Sequence, residues 1–446
     1  MDYIVKTPCG EVRGVPTDKD GIIAFKGIRY ARAKRFGYPE EVKGWDGVYD
    51  ATEYGACAYQ PRSFYNEEDM PKKIFYYNEF RKGREYSYSE DCLFLNIFTT
   101  ENKGEKMPVI IYIHGGGFTG GCAHEKHFDV PVWPKKGVIG VTINYRLGPL
   151  GFLALPELKE EAGCTGNYGL YDQLAAISWV KNNISAFGGD PDNITIMGQS
   201  AGAMSVQQHC LSPLSRGMFH KAVMSSGGGV IKVLSAPQPE KVYPFWTAVK
   251  EHLGAKTIED LRNVPVEDIF TAWQTVKKTH KGGHPTPCID HRLIVDTGDK
   301  ILERGEQHKI PYLIGSTSED MLPPFLYSMA SKWCKMQESN SYLWFFERQL
   351  PGDDHGAWHS SDLWYWFGTL KNCWRPFEDK DFALQEEMSD RLTAFAKTGS
   401  PNSDGLTEWA AGGKEALTFG DNDTKMAKAK KLKLWYTMFT NKAPGE

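Results

Sequence analysis

The sequence has no long hydrophobic run. No apolar stretch approaches the roughly 18 residues that a membrane-spanning helix needs, so no membrane partner is expected. The opening Met1-Asp-Tyr-Ile-Val-Lys-Thr-Pro-Cys9 also lacks a basic segment followed by an apolar one, which predicts no signal peptide and a cytoplasmic protein. Neither sign of charge dominates. Lys and Arg total 52 against 56 Asp and Glu, a net charge of -4, which gives no reason to expect nucleic acid as a partner. The one basic cluster is Lys425, Lys428, Lys430, Lys431 and Lys433; it reads as the wet face of a terminal segment whose Leu432, Leu434, Trp435 and Phe439 pack inward. Cysteine is sparse and odd in number. The nine are scattered singly, without CxxC or Cys/His metal spacing, and read as free thiols packed as small apolar groups. There is no Pro/Gly/Ser-rich linker, low-complexity tract or internal repeat, so residues 1–446 are expected to form a single domain.

What is present is an alternation of two periodicities. Short, nearly continuous apolar runs recur at Leu93–Phe98, Val109–Ile113, Val138–Asn144, Ile194–Met197, Ala222–Met224 and Tyr312–Ile314, as in strands buried on both faces. Between them lie helical segments, most clearly residues 171–184, where Leu174, Ile177, Val180 and Ile184 recur at three- and four-residue steps. This alternation predicts an α/β fold with a doubly wound, mostly parallel sheet. Residues 240–310 and 325–355 read as helical insertions outside the sheet. Residues 60–88 mix aromatics with charges, lack a clear period, and read as a mobile flap.

Chemistry concentrates at three places. Gly198-Gln-Ser-Ala-Gly202 is a G-x-S-x-G between the strand-like Asn193–Met197 and a helix-like Ala203–His209, the context that holds a serine up as a nucleophile. His114-Gly-Gly-Gly-Phe118 follows the Val109–Ile113 strand; its N–H groups at Gly116 and Gly117, with that of Ala201, are candidate oxyanion donors. The base must come from the histidines downstream of Ser200. His355 and His359 share a Gly-rich loop and are not separated by pattern alone. Glu319 and Asp320 follow the Tyr312–Ile314 strand, where ligand and catalytic groups gather in an open parallel sheet, and either carboxylate suits the acid.

Taken together these segments resemble the type-B carboxylesterases, the family that includes the cholinesterases. Phe187–Gly202 matches the serine signature, Glu90–Phe98 a second signature, departing only at Thr100 just beyond it. Asn144-Tyr-Arg-Leu147, Gly166–Gln173 and Phe395–Asn402 are also similar, and the likeness runs over residues 3–420. It implies an α/β-hydrolase fold with helical insertions capping an active-site gorge. It also implies a Ser-His-acid mechanism on small to medium carboxylic esters with no metal and no cofactor, and a monomer or homodimer is expected. The aromatics crowded into Phe64–Tyr88, Tyr342–Phe346 and Trp358–Phe367 read mostly as core, with a gorge lining for aryl or hydroxycinnamoyl esters as the alternative. Gly356-Ala-Trp-His359 with Asp362–Gly368 resembles the histidine motif and selects His359. Gly315–Asp320 resembles the acid motif and selects Asp320 over Glu319, although Met321 replaces its glycine. Ser226 resembles a buried serine beside the acid, and Phe118 and Trp358, which adjoin catalytic loops, are the expected pocket residues. Cys57 and Cys92 match positions bridged in secreted members; here they are expected to stay reduced yet near each other. Lys82 and Gln199 stand where cholinesterases place an aromatic and an acid, so choline esters are not expected substrates.

Overall fold

The computed structural model describes residues 3–19, 21–70, 74–101, 104–230 and 236–428. The apolar runs form one large sheet from β1 (Tyr3–Thr7), β2 (Gly10–Pro16), β3 (Ile23–Arg29), β4 (Phe94–Thr99), β5 (Met107–Ile113) and β6 (Ile139–Ile143). It continues through β7 (Gly189–Gln199), β8 (Lys221–Ser225), β9 (Tyr312–Thr317), β10 (Ser341–Phe346), β11 (Ala416–Phe419) and β12 (Thr424–Ala427). Their spatial order is β1-β2-β3-β4-β6-β5-β7-β8-β9-β10-β11-β12, with Val48–Asp50 beside β2. From β6 to β11 all pairings are parallel, while both flanks are antiparallel.

Alternation along β5 shows why the sheet needs cover on both sides. Val109, Ile111 and Ile113 join one core cluster with Leu170, Ile177 and Val206, which come from helices Tyr168–Asn183 and Ala201–Leu211. Ile110 and Tyr112 point the other way, into a second cluster with Met388, Leu392 and Phe395 of helix Asp379–Thr398. A period of two on a strand fully buried on both faces requires exactly this kind of helix-sheet-helix sandwich.

The Tyr243–His252 and Val266–Val276 helices build a third cluster around Trp246, Phe270 and Trp273, which leans on Leu150 and Tyr168. The expectation for residues 325–355 is only half met. Pro323–Lys335 is helical, but Ser341–Phe346 is β10, paired parallel to β9 and β11 inside the sheet. Its Tyr-Leu-Trp-Phe-Phe run is a strand buried on both faces, and the aromatics there form core rather than a gorge wall.

Residues 60–88, expected as a mobile flap, are anchored by a buried ion network. Arg81 donates two 2.6 Å hydrogen bonds to Glu67 and reaches Glu125 at 3.3 Å, while Arg62 meets Glu125 at 2.8 Å. Helix Ile74–Phe80 in this segment packs Phe75, Tyr76 and Phe80 around Trp358, with ring centroids 5.2, 5.9 and 5.6 Å away. All nine cysteines are free thiols. The Cys57 thiol meets Cys122, with Cys92 also near enough to act on it electrostatically. Of the basic cluster, Lys425 pairs with Asp423 and Lys428 is exposed; Lys430, Lys431, Lys433, Leu432, Leu434, Trp435 and Phe439 lie outside the described residues. Among the described residues no helix is long and apolar enough to cross a membrane.

Candidate active site

Five consecutive parallel strands deliver the candidate groups to one edge. β5 ends at the His114-Gly-Gly-Gly loop, β7 at Ser200, β8 at Ser226, β9 at Asp320, and β10 leads to the His359 loop. These are the carboxyl ends, where loops after parallel strands converge.

Ser200 sits at φ 56°, ψ -125°, between the last residue of β7 and the first of helix Ala201–Leu211. That conformation is strained for a residue with a Cβ and persists only when its surroundings over-determine it. Here they do. A Cβ on Gly198 would lie 2.3 Å from the Gly202 carbonyl oxygen, and one on Gly202 would lie 2.0 Å from that of Ile113. The elbow is therefore closed backbone against backbone, and Ser200 N–H is held by the Ser225 carbonyl at 2.9 Å.

The histidine is oriented from behind. His359 Nδ1 lies 2.5 Å from Asp320 Oδ1, and the ring is 9% exposed. Asp320 Oδ2 accepts from Ser226 Oγ at 2.5 Å and from Thr317 N–H and Oγ1 at 3.2 and 3.1 Å; Oδ1 also accepts from Met321 N–H at 2.8 Å. A carboxylate so fully supplied with donors accepts the Nδ1 proton, which leaves a lone pair on Nε2. That lone pair faces the nucleophile's neighbour, since Gln199 Nε2 lies 3.0 Å away. Gln199 in turn flanks Ser200 at Gly115: a Cβ there would be 2.8 Å from Gln199 Oε1 and 3.1 Å from Ser200 Cβ. The structure thus brings Ser200, His359, Asp320 and Ser226 together within one small volume.

The charges agree with this geometry. Burial alone would push the Asp320 carboxyl up, but the adjacent imidazole and its hydrogen bonds outweigh burial and hold it below the usual carboxylate range. Burial would depress His359, but the Asp320 charge reverses the sign and raises it. Glu319 lies outside this contact: it is exposed, its N–H bonds the Ala357 carbonyl at 3.0 Å, and partial burial raises its carboxyl.

On the other side of Ser200, Gly116 and Gly117 adopt φ 109° and 62°, and among the described residues neither N–H donates to a protein acceptor. The Gly116 carbonyl takes Thr119 and Gly120 N–H, each at 3.1 Å, which curls the loop and turns its donors outward. Gly121 is clamped by Gln60, which exchanges hydrogen bonds of 3.0 Å with its N–H and its carbonyl. Ala201 opens its helix, where a first-turn N–H has no intrahelical partner. N–H groups left without a protein acceptor beside a serine can receive an anion that develops there.

Both expected pocket residues are buried. Phe118 is 1% exposed with its ring against Phe152, 4.9 Å between centroids, and Trp358 is 0% exposed under the Phe75 and Phe80 rings. Adjacency in sequence to a reactive loop does not fix which way a ring points, and burial is the larger gain for an aromatic. Of three other groups at the site, two carry no separate signal in the sequence. Gln199 touches the imidazole. His284 is exposed, with Cε1 3.9 Å from where a Gly117 Cβ would stand. Asp362 is fully buried beside the pair; it accepts from Ser225 Oγ at 2.9 Å and Trp366 Nε1 at 3.1 Å, and its Oδ1 has no partner. Only Asp362 offered a hint, three residues past His359.

A doubly wound sheet with a strained serine after one strand, and a carboxylate-oriented histidine after later ones, defines an α/β hydrolase. The carboxylesterase family model matches residues 1–341 and 324–435. Para-nitrobenzyl esterase of Bacillus subtilis (strain 168) is 35% identical over 328 residues, 71% of this chain and 63% of that protein, so the match spans less than two thirds of that relative's length. Pyrethroid hydrolase Ces2a of Mus musculus is 29% identical over 489 residues, 91% of this chain and 85% of the relative. A solved PNB esterase superposes with a TM-score of 0.83 at 26% identity, covering 98% of this chain and 100% of the other. The chain belongs to the carboxylesterase family.

Proposed function

We propose that the protein is a serine carboxylic ester hydrolase acting through an acyl-enzyme. Ser200 Oγ attacks the ester carbonyl as His359 Nε2 takes its proton, and the N–H groups of Gly116, Gly117 and Ala201 receive the oxyanion. Collapse expels the alcohol with the proton from His359, and water repeats the sequence on the acyl group. Asp320 keeps the imidazole in the reactive tautomer and favours its charged form, and Ser226 fixes that carboxylate. Gln199 donates to the same Nε2, so Ser200 competes with it for the lone pair. The observation that carries the reading is the 2.5 Å Asp320–His359 contact, with Nε2 turned to the residue next to a strained serine.

Small and medium esters with an aryl or arylmethyl alcohol are the proposed substrates, by analogy with the para-nitrobenzyl esterase relative. No metal or cofactor enters these steps. The test is a pre-steady-state assay with a nitrophenyl ester. A burst of nitrophenol close to one equivalent per chain is expected, and Ser200→Ala should abolish both burst and turnover. Full turnover in Ser200→Ala would end the proposal. So would a reaction that rises only above the ester's solubility limit, which would point to an interfacial lipase.

A further inference from the structure

The geometry points to a second site on this chain, a soft-metal centre of the zinc class formed by Cys57, Cys122 and His124. The two thiols and one ring nitrogen all lie within 4.8 Å of one another, and all three side chains are buried. Cys57 Sγ is 3.9 Å from His124 Nε2.

Two further observations mark the imidazole as reserved. Its Nδ1 is buried without a partner, so among the described residues the ring meets sulfur and no oxygen or nitrogen acceptor. A proton on Nδ1 leaves the Nε2 lone pair turned toward the Cys57 sulfur, where an ion would take it. The ring is also fixed in orientation: Tyr54 stacks on it at 4.4 Å and 4°, and Tyr54 is anchored through its hydroxyl to Asp129.

Charge selects the ion. Binding M²⁺ releases one proton from each thiol to solvent and forms two metal–thiolate bonds and one metal–imidazole bond, so the buried unit is neutral overall. Thiolate and imidazole are the ligands zinc takes, with metal–sulfur and metal–nitrogen distances of about 2.3 and 2.0 Å. Closing the trio by about 1 Å would reach the sulfur spacing those bonds require. Entry and a fourth ligand both have a source: His124 borders a cavity of about 270 Å³ lined also by Tyr54, Gly55, Arg84 and Ser87, which admits water.

The position gives such an ion a structural task. Cys57 lies in a short strand paired with Tyr88–Ser89, at the two ends of the 60–88 segment. Cys122 and His124 follow Gly121, the residue Gln60 clamps behind the oxyanion loop. A metal here would tie that segment to the loop.

The test uses the full chain, kept reduced with a phosphine and dialysed against Zn²⁺ or Co²⁺ as the probe. One equivalent of Zn²⁺ per chain is expected, a thiolate-to-cobalt charge-transfer band with Co²⁺, and a Tm that rises with added Zn²⁺. Cys57→Ser and Cys122→Ser should each remove the band and the Tm response. His124→Asn should weaken binding by more than the roughly 10–100-fold that loss of an outer partner costs. Cys373→Ser, outside the trio, should change nothing. If one Cys→Ser variant fails to fold, the wild-type stoichiometry and the other variant still decide. Well under one equivalent in the reduced chain overturns the proposal. A band that survives both substitutions does too, and so does a Cys57–Cys122 disulfide in a chain that binds no metal once reduced.

Discussion

Asp362→Asn is the most informative single change, because it separates two carboxylates that sit side by side. Asp362 is fully buried and one of its oxygens has no hydrogen-bond partner. Burial, together with the nearby Asp320 charge, raises its pKa from 3.8 to about 6. Each tenfold change in proton affinity is worth about 1.4 kcal/mol, so ionised Asp362 costs the native state roughly 3 kcal/mol. The sign follows from proton counting. Between pH 3.8 and about 6 the folded chain binds more protons here than the unfolded one, so stability falls as pH rises through that window and is flat above it. Asparagine keeps an oxygen for the Ser225 and Trp366 donors and carries no charge. Its advantage over the wild type should therefore grow with pH, by roughly 1–2 kcal/mol between pH 5 and 7.5. Urea unfolding of both proteins at the two pH values measures it. Asp362 also raises His359, so the acid limb of kcat/KM should move to lower pH in the variant. A stability difference independent of pH would refute the assignment of a perturbed carboxylate.

Other changes have equally definite outcomes. Asp320→Asn should lower kcat by about 10⁴-fold, since the imidazole loses its tautomer partner, whereas Glu319→Gln on the exposed neighbour should leave nitrophenyl ester turnover within about twofold; equal losses would show that the acid is misassigned. Gly116→Ala puts a Cβ 2.1 Å from the Gly120 carbonyl at φ 109°, and the displaced donor should cost about 10²–10³ in kcat with little change in KM. Arg81→Leu leaves Glu67 without its principal partner and Glu125 with Arg62 alone, and a loss of about 3–5 kcal/mol is expected in urea unfolding. A loss under about 1 kcal/mol would show the network to be solvated.

Much of the centre was readable before any coordinates. The six central runs from Leu93 to Ile314 all became strands, because short continuous apolar segments between polar or glycine-rich connections leave few alternatives. β10 was missed for a physical reason: aromatic residues serve equally in a strand, a helix or a pocket, and nothing in Ser341–Phe346 marks which. The antiparallel flanks were missed because β1 and β2 expose one face, so their pattern is diluted by polar residues. At the site, glycine and serine spacing locates the elbow, since only one backbone geometry admits it. The contacts of Gln199, His284 and Asp362 depend on loops from distant parts of the chain meeting, and no local pattern encodes that. The Cys57–Cys122–His124 trio is hidden in the same way, its three members lying 65 and 2 residues apart in a chain whose cysteines look scattered.

The aromatic face of helix Ile74–Phe80 leans on the tryptophan immediately before the candidate base. Selection for new substrates among random variants of that face will therefore tend to return enzymes with altered turnover and pH response toward every ester at once. Changes in selectivity are better sought around His284, which is exposed beside Gly117 and does not hold up the imidazole.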